Sequence, residues 1–390
     1  AYRNIHLTPI SMDFSFTEEQ EMIRQAARDY AERELIKDVL ERDEKAEMPV
    51  EHVKNLTELG FFGMTVGPKW GGGGMDTLSY VLAMEELSKV DASTSVILSV
   101  HNSLVCYGIE HYGTEEQKEK YLRPLATGEK IGAFLLSEPE AGSDATSQRT
   151  TGEDKGDHYL LNGTKNWITS ANLASIYLVV VQTHPEKKHH GINVLIVDKD
   201  SPGITLAPHE DKMGMRSSDT HSVMFSDVKV PKENRIGDDG FGFKFAMKAL
   251  EGGRIGIASQ AVGIAAGAMD RAVQYSRERK AFGKFISEHQ AIAFKISDMA
   301  VKLEAARNLV YKAAWLKDQG QPYGTLSAMA KQFAADSAME ITTEAVQVLG
   351  GYGYVKEYHV ERLMREAKLT QIYEGTSEIQ KIVISRAVLR

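Results

Sequence analysis

Cysteine is nearly absent: the 390-residue chain has one, Cys106, set in a helical apolar pattern. That excludes an intrachain disulfide framework and any thiolate metal cluster, and a reducing compartment fits best. No apolar run is long enough to cross a bilayer, which points to a soluble protein. There is no basic excess either, with 46 Lys and Arg against 54 Asp and Glu and a formal net charge of -8. A face for nucleic acid is therefore excluded, although local basic sites for a phosphorylated cofactor remain open. Internal repeats, low-complexity tracts, a secretory signal and an Arg-rich transit peptide are all missing. Residues 1–11 match no helix or strand period, a regular pattern begins at Met12, and the segment 1–12 reads as a tag or a disordered N-terminus. What remains is an ordinary globular composition, 42% hydrophobic and 26% charged. At this length two or three packed units are expected rather than one core.

The periodicity divides the chain into three. From Thr17 to Arg123 it is helical, with capping boxes at Thr17/Gln20 and Thr114/Gln117. The Gly71 to Gly74 run lacks the spacing of a dinucleotide fingerprint and reads as a flexible turn. From about Ile131 the period becomes that of strands, predicted at 176–182, 192–197 and 221–230. Tyr159-Leu160-Leu161, Asn162-Gly163 and the run from Lys165 to Thr169 predict a hairpin with a type I′ turn. Lys187-Lys188-His189-His190 reads as a solvated hairpin tip whose adjacent imidazoles diverge. Helices return at 247–279, 288–317, 323–349 and 360–367. The expected organisation is α+β: an N-terminal all-α domain at 13–130, a central β-barrel or sandwich domain at 131–238 and a C-terminal four-helix bundle at 239–390.

One stretch near the end carries chemistry. In Ile372-Tyr373-Glu374-Gly375-Thr376-Ser377-Glu378-Ile379-Gln380, Ser377 and Gln380 read as a capping box, which leaves Glu374 outside the helix on a glycine-hinged turn. Ile372 and Tyr373 supply surface that disfavours a charged carboxylate and raises its pKa towards neutrality, as a general base requires. An ordinary acidic residue in a turn is the competing reading.

Four further motifs accompany that turn: Leu136-Ser137-Glu138-Pro139-Glu140-Ala141-Gly142-Ser143-Asp144, Trp167-Ile168-Thr169, Arg279-Lys280-Ala281-Phe282-Gly283 and Gln347-Val348-Leu349-Gly350-Gly351-Tyr352-Gly353. Together they resemble the acyl-CoA dehydrogenase family over nearly the whole chain, and its short-chain, butyryl-CoA branch most of all. The resemblance implies FAD as cofactor and α,β-dehydrogenation of an acyl-CoA to the trans-2-enoyl-CoA. Glu374 would take the α-proton, flavin N5 would accept the β-hydride, and electrons would pass to an electron-transferring flavoprotein. It further implies a homotetramer, a dimer of dimers, cytoplasmic in a bacterium or in the mitochondrial matrix of a eukaryote.

By the same resemblance, Phe134, Leu136, Ser137, Gly142, Ser143, Trp167, Ile168 and Thr169 would line the flavin, Ser143 also meeting the CoA portion. Arg279, Phe282, Gln290, Gln347, Val348, Leu349, Gly350 and Gly351 would hold FAD pyrophosphate and adenosine, typically of a neighbouring subunit, and Thr376, Ser377 and Glu378 would complete the cofactor set. An Arg fork suits phosphate, although taken singly Arg279 is more readily a solvated helix charge and Trp167 more often a core residue. Glu251, Gly252, Gly253, Arg254, Tyr373 and Gly375 would meet the acyl-CoA; no metal is implied.

Two positions bear on the subfamily. A minority of the family carries its base at the position of Gly253, and Glu251, two residues away at about 100° per residue, faces nearly the opposite side. Ser95 stands where the glutaryl-CoA branch has an Arg, so a dicarboxylate tail would lack a partner. Branched short-chain acyl-CoA substrates stay open. So do an acyl-CoA oxidase, against which the absence of the longer C-terminal region counts, and an inactive acyl-CoA-binding scaffold.

Overall fold

The structure, a computed structural model, describes residues 15–389. The expected tag or disordered segment at 1–12 lies outside them. In the N-terminal unit both capping boxes form: Thr17 Oγ1 accepts from the Gln20 N–H at 3.2 Å while Gln20 Oε1 accepts from the Thr17 N–H at 3.0 Å, opening α1 (Glu18–Arg33). Helices α2 (Val39–Lys45), α3 (Val50–Glu58), α4 (Thr77–Ser88) and α5 (Ala92–Ser99) follow. The chain then widens into a π-helical stretch at Val100–Cys106 and runs on through α6 (Tyr107–Tyr112), α7 (Glu115–Gln117), opened by the Thr114/Gln117 box, and α8 (Arg123–Ala126).

The middle unit holds β1 (Gly132–Leu135), β2 (Thr151–Asp154), β3 (His158–Thr169), β4 (Ile176–Gln182), β5 (Ile192–Asp198), β6 (Ile204–Leu206) and β7 (Thr220–Pro231). They form one seven-stranded sheet in the order β1-β4-β2-β3-β7-β6, with β5 added to β4. Strand β1 pairs parallel with β4, Gly132 opposite Ile176, while β2–β3, β3–β7, β4–β5 and β6–β7 are antiparallel. Buried His101 stitches the sheet to the helices: Nε2 donates to Leu125 O at 2.9 Å and Nδ1 accepts from the Gly132 N–H at 3.2 Å. Desolvation lowers its pKa to about 4, so it stays neutral and can hold both bonds.

The Asn162-Gly163 hairpin is not formed. Strand β3 runs straight through these residues with a register shift between Leu161 and Gly163, and the Asn162 amide is used across the sheet, where Nδ2 donates to Asp227 Oδ1 at 3.0 Å. The turn falls earlier, around Gly156 at φ 97°, where the Lys155 N–H donates to His158 O at 2.9 Å. Nor do the imidazoles of His189 and His190 diverge: their rings lie 4.0 Å apart on an exposed 3-10 turn, Pro185–Gly191.

The C-terminal unit is helical. Helix α9 (Gly242–Glu278) leads through a small hairpin, β8 (Lys280–Ala281) and β9 (Lys284–Phe285), into α10 (Gln290–Asp318), α11 (Gly324–Leu349), α12 (Val360–Thr370) and α13 (Ser377–Val388). Its centre is α9, buried nearly all round from Gly252 to Ala268 and packed on α4, α10, α11 and α12. Small residues permit this: a Cβ on Gly263 would lie 2.4 Å from Glu85 O on α4, an overlap that costs about 1–3 kcal/mol in a tight core. Glu85 in turn accepts from Arg307 Nε at 2.8 Å and Tyr311 Oη at 2.7 Å on α10. The two helical units thus share one interior, and its middle is where the turn from α12 to α13 points.

Candidate active site

Helix α13 is capped by Thr376, whose Oγ1 accepts from the Ile379 N–H at 3.3 Å, rather than by Ser377. Ser377 Oγ instead donates to Asp336 Oδ1 on α11 at 3.0 Å, and Gln380 Nε2 reaches back to Gly375 O at 2.8 Å and Glu374 O at 3.3 Å. The expected capping box is therefore shifted, and its glutamine serves carbonyls instead of an N–H. Glu374 does lie in the turn between the two helices, at φ 50°, followed by Gly375 at φ 90°. A left-handed glutamate is strained, and such strain collects where a side chain must be aimed.

The carboxylate is aimed inward. Both Oε atoms are sealed from solvent and neither has a hydrogen-bond partner, although the residue as a whole is only half-buried. A Cβ on Gly253 would fall 2.1 Å from Glu374 Oε2 and 2.9 Å from Leu104 Cδ2, so the carboxylate lies against bare α9 backbone. Burial raises its pKa to about 7, opposed by the positive charges of Lys331 and Arg254. A carboxylate poised near neutrality without a partner is equipped to accept a proton. Ile372 contributes little to the seal, being 51% exposed; the cover comes from α9 and Leu104. Glu251 points elsewhere: Lys248 Nζ donates to its Oε2 at 3.0 Å, and its side chain lies against Gly324 at the start of α11.

Deeper in, Tyr80 Oη donates to Ser99 Oγ at 2.9 Å. A Cβ on Gly256 would meet those two oxygens at 2.3 and 2.7 Å. Tyr373 Oη is hydrogen-bonded to Gln260 Oε1, and Gln260 Nε2 donates to Ser95 Oγ and Ala92 O, both at 2.9 Å. Ser95 is fully buried inside this chain. Arg254 is nearly buried with Nε unpartnered, and desolvation lowers its pKa.

Sequence reasoning missed Lys331, Tyr80, Ser99 and Gln260. Only Lys331 left a signal, a lone cation on the buried stripe that runs through Ser327, Ala334 and Ala338 of α11.

In the sheet, the register of β3 on β7 shifts again between Lys165 and Ile168. Trp167 sits in that irregularity at φ 61° and is turned outward, 62% exposed, the re-aiming a bulge provides. Ile168 is buried behind it, Thr169 is partly buried, and the Asn166 N–H donates to Ser137 O at 2.8 Å. The neighbouring loop is held by fully buried Lys165, whose Nζ donates to Glu138 Oε1 at 2.7 Å, Gln148 Oε1 at 3.0 Å and Leu136 O at 3.1 Å. Phe134 is buried at the end of β1, Leu136 and Ser137 are partly buried, and Gly142 and Ser143 are exposed at the loop's tip.

A second patch lies at the far end of α9. The Arg279 guanidinium stacks over Tyr352 at 5.6 Å, which brings the 279–290 segment to the Gln347–Gly351 turn. Phe282, Gln290, Gln347, Gly350 and Gly351 are exposed there, Phe282 at 95%, with Val348 and Leu349 buried beneath. Among the described residues no hydrogen bond, ion pair or ring contact joins this patch to Trp167 or Glu374. Thr376, Ser377 and Glu378 line a surface cavity of about 430 Å³ with Asp336, Gln371 and Lys381. A larger groove of about 560 Å³ runs along Thr146–Arg149, Lys188 and His189, apart from the Glu374 turn.

Three family models match the chain in order: "Acyl-CoA dehydrogenase, N-terminal domain" at 17–129, "middle domain" at 133–228 and "C-terminal domain" at 240–389. The chain belongs to the acyl-CoA dehydrogenase family of FAD-dependent oxidoreductases. It is 50% identical to the short-chain specific acyl-CoA dehydrogenase of Clostridium acetobutylicum, over 97% of this chain and 100% of that one. Among solved structures it superposes on butyryl-CoA dehydrogenase from Megasphaera elsdenii with a TM-score of 0.96 at 49% identity, covering 97% and 100% of the two chains. It matches equally, at TM-score 0.96 and 51% identity over the same shares, a chain from a study of the electron transferring flavoprotein of Acidaminococcus fermentans and flavin-based electron bifurcation. The residues present fit FAD: Trp167 and Phe282 offer exposed rings, Arg279 offers a cation, and a Cβ on Gly142, Gly350 or Gly351 would meet nothing within 4 Å, so their backbone is open to a ligand.

Proposed function

We propose that the protein dehydrogenates a short, straight acyl-CoA such as butyryl-CoA to the trans-2-enoyl-CoA, with Glu374 as the base that takes the α-proton. The observation that carries this is the sealed, unpartnered Glu374 carboxylate facing Gly253 and Arg254. FAD, when bound, supplies the acceptor for the β-hydride that no side chain can provide. Phe134, Leu136, Ser137, Gly142, Ser143 and the segment from Trp167 to Thr169 would hold the flavin of the same chain, with Ser143 also meeting CoA. Arg279, Phe282, Gln290 and the segment from Gln347 to Gly351 would hold the FAD of a neighbour, with Thr376, Ser377 and Glu378 completing the set. Gly252, Gly253, Arg254, Tyr373 and Gly375 line the acyl-CoA side. Because the Glu251 side chain faces Lys248 and Gly324, it contributes through its helix and its charge on Arg254 rather than by direct contact.

The separation of the two cofactor patches, with Phe282 left 95% exposed, supports a homotetramer built as a dimer of dimers. Three units at 13–130, 131–238 and 239–390 would then divide the work. Electrons leave to an electron-transferring flavoprotein, in the cytoplasm of a bacterium or the matrix of a mitochondrion. Ser95, buried and hydrogen-bonded, offers no charge to a second carboxylate, which supports a monocarboxylic chain over glutaryl-CoA.

Anaerobic titration with acyl-CoA thioesters of increasing length tests the reading. Bleaching of the bound flavin should be fastest near four carbons and poor with glutaryl-CoA, with adjacent lengths retaining activity because a methylene is worth only about 1–3 kcal/mol. A maximum at eight or more carbons would refute it, absence of bleaching would leave an acyl-CoA-binding scaffold, and stoichiometric peroxide in air would make the protein an oxidase.

A further inference from the structure

Lys331 has no exposed surface and sits in the middle of α11, where an ammonium group is costly to keep. It forms no ion pair among the described residues; Nζ donates to Gly375 O at 2.7 Å, the same carbonyl that accepts from Gln380 Nε2 at 2.8 Å. Two donors therefore converge on the carbonyl of Gly375, the residue after Glu374, in a turn whose two central residues are both left-handed. The charged and titratable groups around the pair come from several elements: Arg254 on α9, Tyr80 on α4, Tyr373 in the turn, Asp336 on α11 and Glu378 on α13. Since the Glu374 oxygens accept no hydrogen bond, the neighbouring charges that favour its ionised form are those of Lys331 and Arg254. A methionine would fill the same space without burying a charge, so packing alone does not account for a lysine here.

We propose that Lys331 is a positioning residue for proton transfer at Glu374: it ties down the turn through the Gly375 carbonyl and, protonated at neutral pH, supplies the counter-charge that favours the carboxylate ready to accept a proton. The inference rests on Glu374 being the base. With Lys331 removed, the carboxylate keeps its sealed surroundings but loses an opposite charge, so its proton is held more tightly and the base is unloaded at neutral pH.

The test uses the FAD-loaded enzyme with Lys331→Gln, which keeps a donor and removes the charge, Lys331→Met, which removes both, and Lys331→Arg, which keeps the charge. Two quantities are followed against pH: the rate of flavin reduction by butyryl-CoA in a single turnover, and the ¹³C carboxyl resonance of Glu374 in the resting enzyme, assigned by its loss in Glu374→Gln. Lys331→Gln and Lys331→Met should move both midpoints upward by about one pH unit, lowering the rate at neutral pH about fivefold and restoring it in base, while Lys331→Arg keeps the wild-type midpoint. A rate loss equal at every pH with the carboxyl titration unmoved would make Lys331 merely structural and overturn the proposal. Should Lys331→Met fail to fold, identical midpoints in the Gln and Arg variants would overturn it as well. A Glu374→Gln enzyme that still reduced its flavin rapidly would instead overturn the base assignment, so the two failures are distinct.

Discussion

Glu366 and Glu374 stand at opposite ends of one short segment, and burial raises the pKa of each to about 7. Their surroundings differ. Glu366 lies within α12, where Arg362 Nη1 donates to its Oε1 at 2.5 Å while Arg362 Nη2 holds Val90 O at 2.6 Å, joining the C-terminal helices to the N-terminal unit. Glu374 has no such cation in contact, sits on strained backbone and faces a glycine. A raised pKa therefore does not identify a functional carboxylate by itself. An ion pair inside a helix fixes the fold, whereas an orphan carboxylate held by its backbone is left free to exchange a proton.

The comparison breaks most easily at Glu366. Glu366→Ala leaves Arg362 buried without its carboxylate and should destabilise the protein by about 3–5 kcal/mol in denaturant unfolding, with flavin bleaching per folded molecule nearly unchanged. Intact stability, or lost chemistry in the folded fraction, would erase the distinction.

A smaller effect concerns pH. The folded pKa of Glu374 lies above its ordinary value, so between about 4.5 and 7 the folded state binds more protons than the unfolded one. The group's contribution to stability is therefore full below the unfolded pKa and is lost as pH rises through 7. Glu374→Gln should exceed the wild type at pH 8 by at most about 3 kcal/mol, and the gap should close towards pH 4.5. A gap independent of pH would contradict the buried, unpartnered state.

Smaller still is the expected effect of Gly253→Ala. The new Cβ must push Oε2 aside from 2.1 Å, and a displacement of that order slows a positioned proton transfer about 10- to 100-fold while FAD content stays the same. A wild-type rate would show that the carboxylate is not used where it lies.

Much of this was legible where the chemistry is local. The Thr17/Gln20 and Thr114/Gln117 boxes could be read because their partners are three residues apart, and Glu374 stood out because a turn, a glycine and a helix start follow one another. Reading failed where distant partners decide. Asn162-Gly163 has the composition of a hairpin turn, yet Asp227 on β7 and the long pairing of β3 keep it in a strand. Ser377 has the composition of a cap, yet Asp336 on α11 takes its hydroxyl and Thr376 caps instead. The Tyr373–Gln260–Ser95 chain and the Lys331 contact to Gly375 join residues brought together only by helix packing, so no local pattern announces them.

Single-turnover reduction of the bound flavin by butyryl-CoA in Glu374→Gln tests the central claim most directly. The variant keeps the shape of the side chain and lacks only the ability to take a proton. With Gly253 bare and Glu251 turned to Lys248, neither of these α9 positions offers a second carboxylate to replace it. The variant should fold, retain FAD and bind acyl-CoA, yet reduce its flavin about 10² to 10⁴ times more slowly. Reduction at near wild-type rate would contradict the account.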